Sequence, residues 1–166
     1  MSVLVLGIGN LFMTDDAVGV KLVQRLQKEY NFPPQVAVVD GGTMGISLLP
    51  LLEGKERLLV VDVIEKGHSP GTLIRLSGDD VHVGFRFKIS SSQIGVEDLL
   101  AAAELIGTAP REVVIMGVQP AALECGTDLS PIVEERFDGL LERVLEELSG
   151  WGVTWTRIAE DKRMYG

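Results

Sequence analysis

Apolar residues come in two kinds of run along this chain, and their alternation predicts its architecture. Val3-Leu4-Val5-Leu6 is a short continuous apolar stretch; after a glycine-rich loop, apolar positions recur at Val18, Leu22, Val23 and Leu26. The first pattern is that of a strand covered on both faces, the second that of a helix with one apolar stripe. Asn31-Phe32-Pro33-Pro34 is expected to end that helix, since proline lacks an N–H and is barred from a helix interior. The cycle then repeats. Val36-Ala37-Val38-Val39 predicts a second strand ending at Asp40, with the glycine-rich loop Gly41-Gly42-Thr43-Met44-Gly45 behind it. Ile46 to Leu52 is compatible with a short helix in which Pro50 suits only a first turn or a kink. Leu58-Leu59-Val60-Val61-Asp62 predicts a third strand with an acid at its C-terminal end.

The second half changes pattern before the cycle resumes. Gly71 to Leu76 is a mixed strand too close to the third one for a helical crossover, so it is expected as an antiparallel edge strand. Phe85-Arg86-Phe87-Lys88-Ile89 alternates, and the pattern leaves open whether it pairs or merely runs extended. Ser90-Ser91-Ser92-Gln93 introduces a helix with the stripe Val96, Leu99, Leu100, Ala103 and Ile106, serine being a strong N-cap. Glu112 to Val118 is the last core strand, and Gln119-Pro120 opens a long irregular loop to Leu129. A final helix starts at Ser130-Pro131, carries Ile132, Val133, Phe137, Leu140, Leu141, Val144 and Leu148, and ends near Ser149-Gly150. Trp151 to Ile158 is expected to add an extended segment, and the polar stretch 159–166 to be a disordered tail.

These elements predict an α/β fold: a three-layer sandwich, a mostly parallel twisted sheet with an antiparallel edge strand and helices on both faces. One domain, 1–158, accounts for the length of 166 residues. Ligand sites in such sheets lie outside the carboxyl ends of the strands. The loops at Gly7 to Asp16 and Asp40 to Gly45, together with Asp62, should therefore face one crevice.

Composition narrows the chemistry. Fifteen basic against 24 acidic residues give a net charge of −9 and no Lys/Arg cluster, which argues against a nucleic-acid surface. The lone Cys125 supplies neither a disulfide nor a Cys-x-x-Cys metal framework and suits a reducing compartment. The apolar N-terminus has no basic residue before it, and no apolar run reaches the roughly 20 residues of a membrane span, so a cytoplasmic location is expected.

Asp16 falls in or beside a helical first turn, where free N–H groups and the helix dipole favour a carboxylate. Alone, Asp16 reads as a first-turn acid and Asp62 as a holder of its neighbouring loop. As a pair on one rim they fit a cation, or acid/base chemistry with one carboxyl kept protonated by the other. Gly7-x-Gly9 after a strand suggests a dinucleotide site, but Phe12 occupies the third glycine's place and the helix begins late. Gly67-His68-Ser69-Pro70-Gly71 matches the string of a nucleophile elbow, yet a strand rather than a helix follows it. His68 and His82, the only histidines, form no His-Glu-x-x-His motif.

Several motifs in the same order resemble the nickel-iron hydrogenase maturation endopeptidases. They are Gly7-Ile8-Gly9-Asn10-Leu11 with Thr14 to Val20, Asp40-Gly41-Gly42-Thr43, the acid of Val61-Asp62, Lys88-Ile89-Ser90 with Gln93-Ile94-Gly95, and Gly117-Val118-Gln119-Pro120. The likeness runs from Val3 to about Leu148. It implies a protease that removes the C-terminal extension of a hydrogenase large-subunit precursor after nickel insertion, the metal being supplied by the substrate, with no prosthetic group of its own. It further implies that Asp16 and Asp62 contact the metal and that Asp40, Gly41, Gly42, Thr43 and Gln93 bind substrate. The family's third metal ligand, a histidine, falls on Ser92 here. A serine hydroxyl is a poor neutral ligand for nickel, so the free protein should bind nickel weakly. Three explanations are open: the precursor's own cysteine ligands carry most of the affinity, His68 or His82 moves in, or this chain is impaired or altered. A non-catalytic chaperone that inspects the nickel-loaded subunit is the alternative function.

Overall fold

The computed structural model describes residues 1–81 and 91–158, the side chains of 91–95 excepted. Strand β1 (Val3–Ile8) leads through a 3-10 turn at Thr14–Ala17 into helix α1 (Val18–Glu29). Then follow β2 (Tyr30–Asn31), β3 (Val36–Gly42), a second 3-10 turn at Gly45–Leu48 and the single turn α2 (Leu49–Leu52). The rest comprises β4 (Arg57–Val63), β5 (Leu73–Ser77), α3 (Ser91–Ile106), β6 (Glu112–Val118), α4 (Pro131–Gly150) and β7 (Thr156–Arg157). Among the described residues, five strands form one sheet in the order β3-β1-β4-β6-β5. All its pairings are parallel except that of β5 with β6, which makes β5 the antiparallel edge the sequence predicts.

The continuous apolar strands hide a two-residue period. Val3 and Val5 of β1, with Leu59, Val61 and Val63 of β4, join a core built by α1 and α4 on one face of the sheet. Leu4, Leu6 and Ile8, with Leu58 and Val60, join a second core built by α2 and α3 on the other face. Successive strand side chains point to opposite faces, so a strand covered twice reads as a continuous apolar run, with Asp62 the buried polar exception in β4. At about 1.5–3 kcal/mol for each large side chain taken out of water, both cores hold β1 and β4 rigidly in the middle of the sheet. Those two strands end at the crevice.

Differences from the sequence expectation lie at element ends. Helix α1 stops at Glu29, before the prolines, because Tyr30–Asn31 pairs antiparallel with Thr156–Arg157 in a small second sheet. The extended segment after α4 is thus real but only two residues long. Val96, Leu99, Leu100 and Ala103 are buried as expected, whereas Ile106, on the last residue of α3, is exposed. Strand β5 begins at Leu73, the expected Gly71 serving as a turn with φ of 88°. Pro50 sits in the first turn of α2. The alternating run Phe85 to Ile89, His82 and the tail 159–166 lie outside the described residues.

Candidate active site

The loop after β1 is shaped by main-chain contacts that leave no room for a Cβ. At Gly9, whose φ is 146°, an added Cβ would overlap the carbonyl oxygen of Asp16. Only glycine reaches this conformation without strain and lets the turn lie on the strand end. The Asp16 carboxylate Oδ2 in turn accepts the Asn10 N–H at 3.0 Å, so loop and acid fix each other. Thr14, at φ 48°, is a non-glycine residue in the left-handed region, a conformation costing about 1–3 kcal/mol unless its surroundings enforce it. Enforcement comes from the loop after β6: Thr14 N–H donates to the Gly126 carbonyl at 3.0 Å and its Oγ1 to the Ala122 carbonyl at 2.7 Å. Asp16 is thereby delivered, nearly wholly buried, in the 3-10 turn before α1.

Asp62 is carried by β4, the strand paired with β1. It is fully buried in β4, one residue before the strand's end rather than after it, and its Oδ1 accepts the N–H of Val63 at 2.7 Å. Two more glycines seat the main chain around it. A Cβ on Gly19 of α1 would overlap the Val61 carbonyl oxygen, and one on Gly117 of β6 would overlap the Asp62 carbonyl oxygen. Helix α1 therefore rests directly on β4 beside Asp62, three residues after Asp16. β1 and β4 are paired through Gly7 and Val61, so Asp62 stands at the carboxyl end of β4 and Asp16 in the turn that follows the adjacent β1.

Two polar residues that the sequence reading left without a role hold this arrangement. Asp15 is fully buried and faces away from Asp16's loop contact: its Oδ2 accepts Ala121 N–H (2.8 Å), Ala122 N–H (2.9 Å) and Ser130 Oγ (2.8 Å), and its Oδ1 accepts Ser130 N–H (2.7 Å). Gln119, also buried, accepts Lys66 N–H and His68 N–H on Oε1 at 2.9 and 3.2 Å and donates from Nε2 to Glu65 at 2.7 Å. The loop behind Asp62 is thus tied to the end of β6. The sequence carried one signal for Asp15, the adjacency of two acids. Consecutive residues of a 3-10 turn point about 120° apart, so only one of them can face a given crevice.

The Asp40 loop flanks the acids on the other side of β1. Gly9 N–H donates to the Gly42 carbonyl at 3.0 Å, and Ile8 pairs with Gly42 across a register irregularity. Asp40 is exposed; its Oδ1 accepts Gly42 N–H at 3.0 Å and its Oδ2 the Gln24 amide at 3.1 Å, while Thr43 is open to solvent. Gly41 is buried among Leu6, Ile8 and Leu48. Ser92 and Gln93 lie in the first turn of α3, and their side chains are outside the described set. His68 is exposed on the loop between β4 and β5. Among the described residues no three His, Cys, Asp or Glu side chains gather as a metal centre, so His68 does not complete one with Asp16 and Asp62 here.

Comparison with known proteins adds the family. The model of the hydrogenase maturation protease family matches residues 20–147. The chain is 38% identical to the hydrogenase 2 maturation protease of Escherichia coli, over 92% of this chain and 94% of that protein. The chain belongs to the hydrogenase maturation protease family. It is 40% identical to the hydrogenase expression/formation protein HupD of Rhodobacter capsulatus, covering 95% of this chain and 76% of HupD. The solved structure of the hydrogenase maturating endopeptidase HybD from E. coli superposes with a TM-score of 0.90 at 37% identity, covering 96% of this chain and 99% of HybD. As a hydrogenase maturation protease, this protein is a peptidase, and its sandwich is that of its structural relatives. No described helix is long and apolar enough to cross a membrane.

Proposed function

We propose that this peptidase removes the C-terminal extension of a nickel-loaded hydrogenase large-subunit precursor in the cytoplasm, and that the nickel arrives with the substrate. The observation that carries the reading is the burial of Asp62 at the end of β4 and of Asp16 in the turn after the adjacent β1 in a member of this family. Two carboxylates on one rim supply the negative charge and the oxygen ligands that a divalent ion takes. Asp16 and Asp62 hold the metal-bearing end of the precursor. Nickel, once seated, acts as a Lewis acid on the scissile carbonyl or on a water. The main chain of Asp40, Gly41, Gly42 and Thr43, which stands at the open end of β3, lines up the extended C-terminus, with Gln93 on α3 as a further contact.

Ser92 in place of the family's histidine leaves an all-oxygen set that favours harder ions than nickel. The precursor's own cysteine ligands then carry most of the metal affinity, and the peptidase reads a metal it does not itself retain. The test is to mix the purified protein with nickel-loaded and nickel-free precursor and to read the precursor mass. Loss of the C-terminal peptide from the loaded form alone is the expected result. Stable binding without loss would favour the inspecting chaperone, the reading that the serine at position 92 motivates. Restoring the imidazole by Ser92→His should tighten nickel binding to the free protein roughly tenfold or more, the scale on which changes around a metal site act. Titration calorimetry reads this; unchanged affinity would show that the first turn of α3 is not turned toward the acids.

A further inference from the structure

On the side of Asp62 away from the Asp40 loop, α4 faces the loop leading into β5 across an open hollow of about 360 Å³. Its walls are the segment Ser69 to Leu73 and two arginines of α4, Arg136 and Arg143. The hollow is built. At Gly71 an added Cβ would stand 2.6 Å from Ile132 Cγ1 and 3.3 Å from Arg136 Cγ, so glycine lets the loop main chain rest on the helix. Gly71 N–H donates to the Gln119 carbonyl and Gln119 N–H to the Thr72 carbonyl, both at 2.8 Å, which anchors the loop to the end of β6. Gly117 pairs with Asp62 on one side and with Ile74 on the other. Two strand spacings, about 10 Å, therefore separate the hollow's strand from that of Asp62.

Arg25, Arg57, Arg75 and Arg111 each meet a carboxylate within 4 Å and Arg157 lies over the Tyr30 ring, whereas Arg136 and Arg143 have no acidic partner among the described residues and both line the hollow. Both are exposed, and at seven residues apart they share one helical face, with Gly139 between them facing Leu73. Although α4 bears six acids elsewhere on its surface, the lining of the hollow itself carries these two positive side chains and no acid. Guanidinium groups are shaped to take carboxylates through paired N–H donors. The rise along seven helical residues is about 10 Å, a spacing suited to two carboxylates on a partner's surface rather than one terminal carboxylate.

We infer that Arg136 and Arg143 dock two acidic side chains on the folded body of the hydrogenase large-subunit precursor. The inference rests on the precursor being the substrate, as proposed above. The body is then held over the β5 flank of the crevice, while the extended C-terminus lies along the β3 flank and the scissile segment spans Asp62 and Asp16 between them. Charges at the solvent-exposed rim of an interface act on encounter and salt dependence more than on chemistry.

The experiment compares wild type with Arg136→Glu/Arg143→Glu on nickel-loaded precursor at low and high salt. The double variant should raise KM at low salt by about tenfold or more, leave kcat within about twofold, and flatten the salt dependence of KM. Arg136→Lys/Arg143→Lys should keep the salt dependence while losing part of the affinity, because lysine preserves the charge but not the fork. An unchanged KM and salt profile in the Glu variant, with its thermal midpoint at the wild-type value, would overturn the arginine dock while wild-type cleavage still upholds the substrate. Failure of the wild type to bind or cleave the precursor would instead remove the substrate reading, and this inference with it. If a free peptide carrying only the C-terminal extension shows the same arginine dependence, the carboxylates are not on the folded body and the inference fails in that form.

Discussion

Asp62→Asn will leave this protein folded and lower its cleavage of nickel-loaded precursor by at least about a hundredfold. Replacing even a residue that supports a metal ligand costs about 10–100-fold, and removing the charge of an acid that holds the substrate's metal, the role proposed for Asp62, should exceed that. The substitution is nearly isosteric, and the asparagine Oδ1 still accepts the Val63 N–H that Asp62 accepts at 2.7 Å. The main chain at this position is set independently by Gly117, whose missing Cβ admits the Asp62 carbonyl. Asp16→Asn should behave alike, since an amide oxygen can still take the Asn10 N–H bonded at 3.0 Å in the native protein. Precursor mass against time gives the rate, and thermal unfolding gives the fold. Wild-type cleavage by both variants would sink the role of the acid pair.

Asp15→Ala, one residue away, will do the opposite and break stability first. It removes acceptors for three backbone N–H groups and the Ser130 hydroxyl, all bonded at 2.7–2.9 Å to a carboxylate with no exposed surface. Each buried donor left without a partner costs about 1–3 kcal/mol, so a total loss of at least about 3 kcal/mol is expected even if water enters to serve some of them. For a domain of this size, a loss on that scale lowers the thermal midpoint by on the order of 10 °C. Asp15→Asn should fall between, because its amide NH2 would face N–H donors. Asp128→Asn, an exposed acid of the same loop, is the control and should leave the midpoint in place. A midpoint for Asp15→Ala within about 2 °C of wild type would show that the clamp contributes little.

The contrast between these neighbours shows what a linear sequence conveys. Hydrophobic spacing was enough for the sheet, because β1 and β4 are covered on both faces and no other arrangement hides runs such as Leu58 to Val61. The rule that ligands meet the carboxyl ends of strands singles out Asp16 and Asp62 as site candidates. Both are buried, Asp62 in β4 and Asp16 in the turn after β1. What spacing could not convey was partnership across the chain. Asp15 is bonded to residues more than 100 positions away, and Gln119 to a loop more than 50 positions before it. Short apolar segments at helix ends were also misjudged: Ile106 continues the stripe of α3 in sequence but lies where the helix has run past its core. The early stop of α1 depends on pairing with Thr156–Arg157, a contact that no local pattern announces.

The three glycines around the acids carry a consequence for how this protein can change. Gly9, Gly19 and Gly117 each admit a carbonyl oxygen into the space of a side chain, so the main chain that carries Asp16 and Asp62 is set by backbone against backbone. Rotamers and methyl groups in the two cores can drift, and with them the stability, while the main chain beneath the acids stays in place. The geometry offered to an incoming substrate is thereby insulated from the ordinary wear of core substitution, and it is exposed at three positions where even a single methyl group is too much.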